Sequence, residues 1–284
     1  MRLHNATSEI FIPDNAPVED ALQRITHLGI GAHQDDLELM AFHGITACYA
    51  KTDLWFGGIT CTNGGGSPRA GIYAGFTDAQ MMAVRRREQN AAAAVGGYGA
   101  MIQLDYPSSM VKSAADPSLK DDLKSILSRM HPQVVYTHNP ADKHDTHIGV
   151  VVATLQAMRE LPRHQRPPRI WGCEVWRSLD WLPDPDKVLM DVSGRDNLAA
   201  ALNGIFDSQI VGGKRYDAAA IGRRSANATF FESHATDETT QLIFGMDLSL
   251  LVSDESLDIL EYVLGFIRKM EDEVRAKLAR RLGR

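Results

Sequence analysis

The sequence predicts an α/β fold: three layers, α/β/α, around a mostly parallel sheet, with further strands and helices toward the C-terminus. Three observations carry this. Short apolar runs alternate with helix-period segments in the order β-α-β-α-β-α-β-α-β. Strands separated by helices imply a parallel sheet covered on both faces by right-handed crossovers. Two polar clusters, "HQDD" and "HNPADKHDTH", directly follow the first and fourth of these strands. Such sheets bind ligands there, outside the carboxyl ends of their strands.

The elements follow in order. Residues 26–32 (THLGIGA) are a buried strand, and 38–50 carry Leu39, Met40, Phe42, Ile45 and Tyr49 as a helical stripe. The next strand is 54–62, followed by the glycine-rich loop NGGGSPRAG. Thr77 and Gln80 form a capping-box pair that opens a long helix stopping near Gly96 and Gly97. Residues 100–104 are a short strand, and Asp116-Pro117 opens a helix with Leu119, Leu123, Ile126, Leu127 and Met130 on one face. A strand at 133–138, a helix at 144–161 and a strand at 169–176 complete the alternation. Beyond it, 187–192 reads as a strand, 195–207 and 213–226 as helices, and 254–281 as a long amphipathic helix that packs on the domain or on a second subunit, so a homo-oligomer is entertained.

The 284 residues, 44% of them hydrophobic, suffice for a large core, and no linker or repeat divides them. The chain is read as one domain, 1–284, with a core at about 25–160 and a C-terminal elaboration at about 161–284. A net charge of −6 with interspersed signs excludes a nucleic-acid partner. No apolar run approaches the roughly 18 residues that span a bilayer. Asp14, Glu19 and Asp20 spoil any secretory signal, and Cys48, Cys61 and Cys173 lack zinc-like spacing. The expected location is cytoplasmic, with all three thiols reduced.

His33 and Asp36 flank a turn at a strand end, and His147 can close a set of two imidazoles and one carboxylate with a fourth position open, a donor set used for catalytic zinc. Ferrous iron suits the same donors. Asp35 is then a spare carboxylate beside the cation, placed to take a proton from water. His144, three residues before His147, can stabilise an oxyanion or protonate a leaving amine, and Asp142 and Asp145 can orient either imidazole. Against this stands the plainer reading, in which the Asp pair caps a helix and the histidines lie on the surface. Two complementary clusters on one sheet edge favour the site.

These residues resemble the PIG-L/LmbE-like zinc-dependent deacetylases, which remove N-acetyl groups from amino sugars. AHQDDLE (Ala32–Glu38) is similar to that family's AHPDDxE signature, and KHDTH (Lys143–His147) to its HPDH signature. VRRREQNAAAAVGG (Val84–Gly97) resembles its RxxExxxAxxxLG helix, and TCTNGGG (Thr60–Gly66) stands in the place of its glycine-rich loop. The motifs run in register over roughly 25–160, with fainter likeness in DSQ at 207–209 and FFESH at 230–234. The resemblance implies His33, Asp36 and His147 as zinc ligands, Asp35 as general base, His144 as electrophilic or acid partner, and an N-acetylated sugar or glycoside as substrate. It implies Arg85 as substrate-binding, against the alternative of a solvated helix face shared with Arg86 and Arg87. The loop carrying Asn63 and Gly65 is expected to approach a sugar closely. Gln34 replaces the family's proline, which loosens the turn, and Asp145-Thr146 replaces Pro-Asp, which removes the carboxylate that tunes His144. Trp171, Trp176, Trp181 and Tyr106 are candidates for sugar stacking or for the core.

Two rivals remain. One is a non-catalytic sugar- or metal-binding module on the same fold, degraded at Thr146. The other is a Rossmann-type nucleotide binder. GAHQDD stands where that fold needs its glycine fingerprint, so a Rossmann-like sheet without nucleotide chemistry is expected.

Overall fold

A computed structural model describes residues 1–284. Eight strands form one sheet: β1 (Glu9–Phe11), β2 (His27–Gly31), β3 (Phe56–Thr62), β4 (Ala100–Tyr106), β5 (Val134–His138), β6 (Arg169–Cys173), β7 (Lys187–Asp191) and β8 (Leu242–Asp247), in the spatial order β1-β4-β3-β2-β5-β6-β8-β7. The central pairs β4·β3, β3·β2, β2·β5 and β5·β6 are parallel; β1 joins β4 antiparallel, and β8 is antiparallel to both β6 and β7. The expected mostly parallel α/β sheet is therefore present, with two strands more than the periodicity implies. β1 is only three residues long. β8 lies between β6 and β7, so strands consecutive in sequence are separated in space.

Twelve helices accompany the sheet. In the first part of the chain these are α1 (Val18–Gln23), α2 (Asp36–Met40), α3 (Phe42–Cys48), α4 (Asp78–Val95), α5 (Ser108–Val111), α6 (Ser118–Leu127) and α7 (Asp145–Arg159). Then come α8 (Asp196–Gly204), α9 (Asp207–Ile210), α10 (Tyr216–Phe230), α11 (Ser249–Ser253) and α12 (Ile259–Arg281). Strand residues alternate between two cores, as a pleat requires. Leu28, Ile30 and Val135 pack with α1, α6, α7 and α11, while Val134 and Tyr136 pack with α2, α3, α4 and α8. The expected capping box opens α4: Thr77 accepts from the Gln80 N–H at 3.3 Å, and Gln80 Oε1 accepts from the Thr77 N–H at 2.8 Å.

The single helix read over 38–50 is two. α2 stops because the buried Arg224 guanidinium donates Nη2 to the carbonyls of Glu38 and Leu39, at 2.8 and 3.0 Å. A further α-helical turn would need those acceptors.

The topology places the site. From β2 the chain builds outward through β3 and β4; from β5 it builds the other way through β6. β2 and β5 are thus neighbours at the point where the winding reverses, pairing Ile30 with Thr137. A crevice opens at such a reversal, outside the strand ends. The segments after β2 and β5 are the ones that carry the two polar clusters.

Candidate active site

The turn after β2 is held from several sides. Ala32 N–H donates to His138 Nε2 at 2.9 Å, and His33 N–H donates to Asp36 Oδ2 at 2.6 Å. Asp35 sits in the left-handed region at φ 99° and donates its N–H to Gln89 Oε1 at 3.3 Å. A non-glycine residue there is strained by roughly 1–2 kcal/mol, so the neighbours must impose it. Gln34 does not loosen the turn, as its replacement of proline suggests it should. Its buried side chain donates to the Thr62 carbonyl at 2.9 Å, and its own carbonyl accepts from Gln209 Nε2 at 3.2 Å.

Three side-chain atoms converge above this turn. His33 Nδ1 lies 3.2 Å from His147 Nε2 and 3.3 Å from Asp36 Oδ2, and His147 Nε2 lies 3.5 Å from Asp36 Oδ2. Ligands about 2.0–2.1 Å from a tetrahedral zinc stand about 3.3–3.4 Å apart, so these donors fit such a cation with no rearrangement. His147 is completely buried, and its Nδ1 faces Asp142 Oδ2 at 3.0 Å. Asp142 also accepts the N–H groups of Lys143, Trp176 and Arg177. Burial opposes the Asp142 charge, but His147 and these donors outweigh it and hold the carboxyl low. An ionised Asp142 accepts a hydrogen bond from Nδ1–H, which keeps the proton on Nδ1 and leaves the Nε2 lone pair for a cation. Burial and His138 push the His147 imidazolium down to about 4, so the ring is neutral at neutral pH.

His138, the last residue of β5, is a site residue that the sequence reading misses. It stacks on His147 at 3.8 Å and lies 3.3 Å from Asp36 Oδ2. Asp36, His138 and His147, and likewise His33, His144 and His147, are further groups of donors close enough for a cation. With its Nε2 occupied by the Ala32 N–H, His138 serves better as the pin of the turn than as a ligand.

The adjacent aspartates are driven apart. Burial raises Asp36, yet His147 and His138 outweigh it and hold the carboxyl well below its ordinary range. Burial raises Asp35 well above its ordinary range, the Asp36 charge adds to this, and Arg85 relieves it only in part. One oxygen of Asp35, Oδ2, is buried with no partner. Asp35 and Asp36 both line a cavity of about 550 Å³ with His33, His144, Thr146, Trp176 and Tyr216.

His144 stands at the start of α7, its ring 4.9 Å from that of His33, its Nδ1 buried and unpartnered. Burial, then His33, lower its pKa. Neither candidate carboxylate serves it, since Asp142 is bound to His147 and Asp145 lies on the exposed surface.

The expected substrate residues lie one layer back. Arg85 is not on a solvated face; it is buried, donating Nη2 to Gln209 Oε1 at 2.8 Å. It packs under Gly64, whose φ of 72° and contacts with Arg85 and Gln34 exclude a side chain. Asn63 Oδ1 accepts from the Gly65 N–H at 3.1 Å and closes the loop. Gly64 and Gly66 line the cavity, whereas Asn63, Gly65 and Arg85 do not. The DSQ segment explains itself: Ser208 binds Glu88 and Gln209 binds Arg85, fastening α9 to α4. FFESH lies on the surface, with Phe230 80% exposed. Of the aromatics, Trp176 lines the cavity, while buried Tyr106 donates to Asp122 at 2.7 Å.

Among solved structures the chain resembles N,N'-diacetylchitobiose deacetylase from Pyrococcus horikoshii (15% identity, 78% of this chain and 83% of that one, TM-score 0.59). It also resembles the conserved protein TT1542 from Thermus thermophilus (17% identity, 78% and 94%, TM-score 0.59). A third is GalB, the 4-carboxy-2-hydroxymuconate hydratase from Pseudomonas putida (16% identity, 80% and 96%, TM-score 0.54). Likeness at this identity speaks for the fold and not for the reaction. None of the curated proteins matches the chain by sequence. Residues 28–158, the stretch that carries both polar clusters, match the family described as "PIG-L: GlcNAc-PI de-N-acetylase".

Proposed function

We propose that this chain is a metal-dependent N-deacetylase acting on an N-acetylated amino sugar or glycoside. One observation carries the reading: His33, Asp36 and His147 offer three donor atoms 3.2–3.5 Å apart, at the edge of a cavity that His33, Asp36 and Asp35 line. The cation is zinc, with ferrous iron the alternative for the same donors. When bound, it supplies Lewis acidity toward an amide carbonyl and makes water a stronger acid.

The protein's own residues do the rest. Asp35 accepts the proton of the attacking water on its carboxylate, and its raised pKa makes it a better base than an exposed aspartate. His144 faces the same cavity and hydrogen-bonds the amide oxygen as charge develops there. Tyr216, its phenol kept neutral by burial and by the charges of Asp35 and Asp36, lends a further donor at the cavity wall. Arg85 acts through Gln209, which lines the cavity, and through its charge on Asp35.

GalB's hydratase activity on the same fold makes water addition without amide cleavage the competing chemistry. The family match over 28–158 favours deacetylation. A degraded binding module is disfavoured because His33, Asp35, Asp36 and His147 are all retained despite Thr146. No helix is long and apolar enough to cross a membrane, and the three cysteines are free and buried, which suits a cytoplasmic location. The test is acetate release from N-acetylglucosamine conjugates by zinc-loaded protein. Release that disappears on chelation supports the reading; bound zinc without release across a broad panel contradicts it.

A further inference from the structure

The walls of the catalytic cavity divide by chemistry. Gly64, Gly66, Ser67, Ser108 and Lys112 present backbone and polar groups. Leu39, Val175, Trp176 and Tyr216 present apolar and aromatic surface, and the same four also line a second cavity of about 190 Å³. Ala219, Ala220 and Ile243 continue that annex. The charged groups at its border make bonds of their own, although Arg224 Nε and Nη1 are buried without a partner. Glu174 accepts the N–H groups of Leu179 and Phe244, and Arg223 donates to the Val175 carbonyl. Arg224 donates to the carbonyls of Glu38 and Leu39, and Glu174 lies near enough to balance its charge.

An N-acyl amino sugar has matching halves: a polyol on the amide nitrogen and a chain on the acyl carbon, leaving the amide in opposite directions. Building on the hydrolase reading above, we propose that the annex receives the acyl chain, and that the preferred substrate is an amino sugar carrying an N-acyl group of about six carbons rather than acetyl. An apolar cavity of about 150 Å³ accommodates benzene, which sets this chain length. Hydrolysis breaks the C–N bond; the hydroxyl of water joins the acyl carbon, a proton passes to the amine, and the products are an amino sugar and a short fatty carboxylate.

The experiment compares kcat/KM for N-acetyl-, N-butyryl-, N-hexanoyl- and N-decanoylglucosamine in zinc-loaded full-length protein. A buried methylene is worth about fourfold, so hexanoyl is expected to exceed acetyl by at least tenfold, with decanoyl falling back. Ala220→Phe fills the annex and should lower the hexanoyl-to-acetyl ratio tenfold or more. A wild-type ratio at or below one, or a ratio unmoved by Ala220→Phe, overturns the proposal. If no amide in the series is cleaved, the hydrolase reading itself fails. Calorimetric binding of hexanoate against acetate then decides the annex alone: tighter hexanoate binding that Ala220→Phe abolishes supports it, and equal binding overturns it.

A separate observation concerns α12. Its first turns dock Tyr262 and Phe266 on the core, but from Ile267 to Arg284 every residue except Ala279 is exposed. That free stretch, about 25 Å of helix, keeps Ile267, Met270, Val274, Leu278 and Leu282 on one face, all exposed. Its charges run in blocks: Arg268 and Lys269, then Glu271, Asp272 and Glu273, then Arg275, Lys277, Arg280, Arg281 and Arg284. An antiparallel second copy sets the acidic block 271–273 against the basic run that follows it, whereas a parallel one opposes acid to acid and base to base. We infer that α12 pairs antiparallel with the α12 of a second copy. Sedimentation of the full chain at about 100 µM, where even a modest apolar seam associates, should show a dimer that Met270→Glu/Val274→Glu converts to monomer. A monomeric wild type, or a dimer untouched by that pair of changes, overturns the inference.

Discussion

The turn after β2 and the turn after β5 each deliver histidine and aspartate to the same crevice, and they handle their carboxylates in opposite ways. In the first, two adjacent aspartates are split by their surroundings: imidazoles hold Asp36 ionised, while burial beside that charge lifts Asp35 and leaves one of its oxygens without a partner. In the second, the available carboxylate, Asp142, is consumed in fixing the His147 tautomer, and His144 receives none. On the proposed reading the first turn supplies both a ligand and a base, while the second supplies a well-oriented ligand and an unassisted acid partner. Neighbours in sequence are shifted in opposite directions because the fold, not the spacing, sets each group's environment.

The sharpest break in this comparison is to remove a ligand from either turn. Asp36→Ala and His147→Ala should each lose the metal, by elemental analysis, and reduce turnover by about 10³-fold or more. If one of them keeps both metal and turnover, that turn contributes no ligand. Asp35→Asn separates base from ligand within the first turn: metal content should stay at the wild-type level while kcat falls by about 10²–10⁴-fold. Wild-type kcat in this variant removes Asp35 from the mechanism.

Within the second turn, Asp142→Asn should weaken zinc binding about 10–100-fold in a chelator competition, because His147 loses the partner that fixes its proton. Unchanged affinity would mean that Asp142 serves only the Trp176 and Arg177 N–H groups. The smallest effect belongs to Gln34→Ala, which removes one buried hydrogen bond to Thr62. It should cost about 1 kcal/mol in denaturant unfolding, with turnover held within a few-fold. A stability equal to wild type would mean that this side chain does not brace the first turn.

Much of this is legible in the sequence because it is local. The strand and helix periods locate β2 to β7 and the long helices, and the Thr77–Gln80 box marks the start of α4. The strand-end rule gathers His33, Asp35, Asp36, His144 and His147 before any contact is known. What stays hidden depends on distant partners. β8 is inserted between β6 and β7, which no local pattern encodes. His138 gains its place through the Ala32 N–H, 106 residues away in sequence, and Arg85 through Gln209, 124 residues away. Gln34 looks like a loosening change because its bond to the Thr62 carbonyl is also long-range. The split of 38–50 into α2 and α3 requires Arg224 from the far end of the chain.

The convergence of the two turns on one cation is tested most directly by crystals of the zinc-loaded protein, with anomalous diffraction collected at the zinc edge. The account predicts a single strong peak about 2.0–2.1 Å from His33 Nδ1, Asp36 Oδ2 and His147 Nε2. A peak bound by Asp36, His138 and His147 with His33 turned away, or no peak in this crevice, would contradict it.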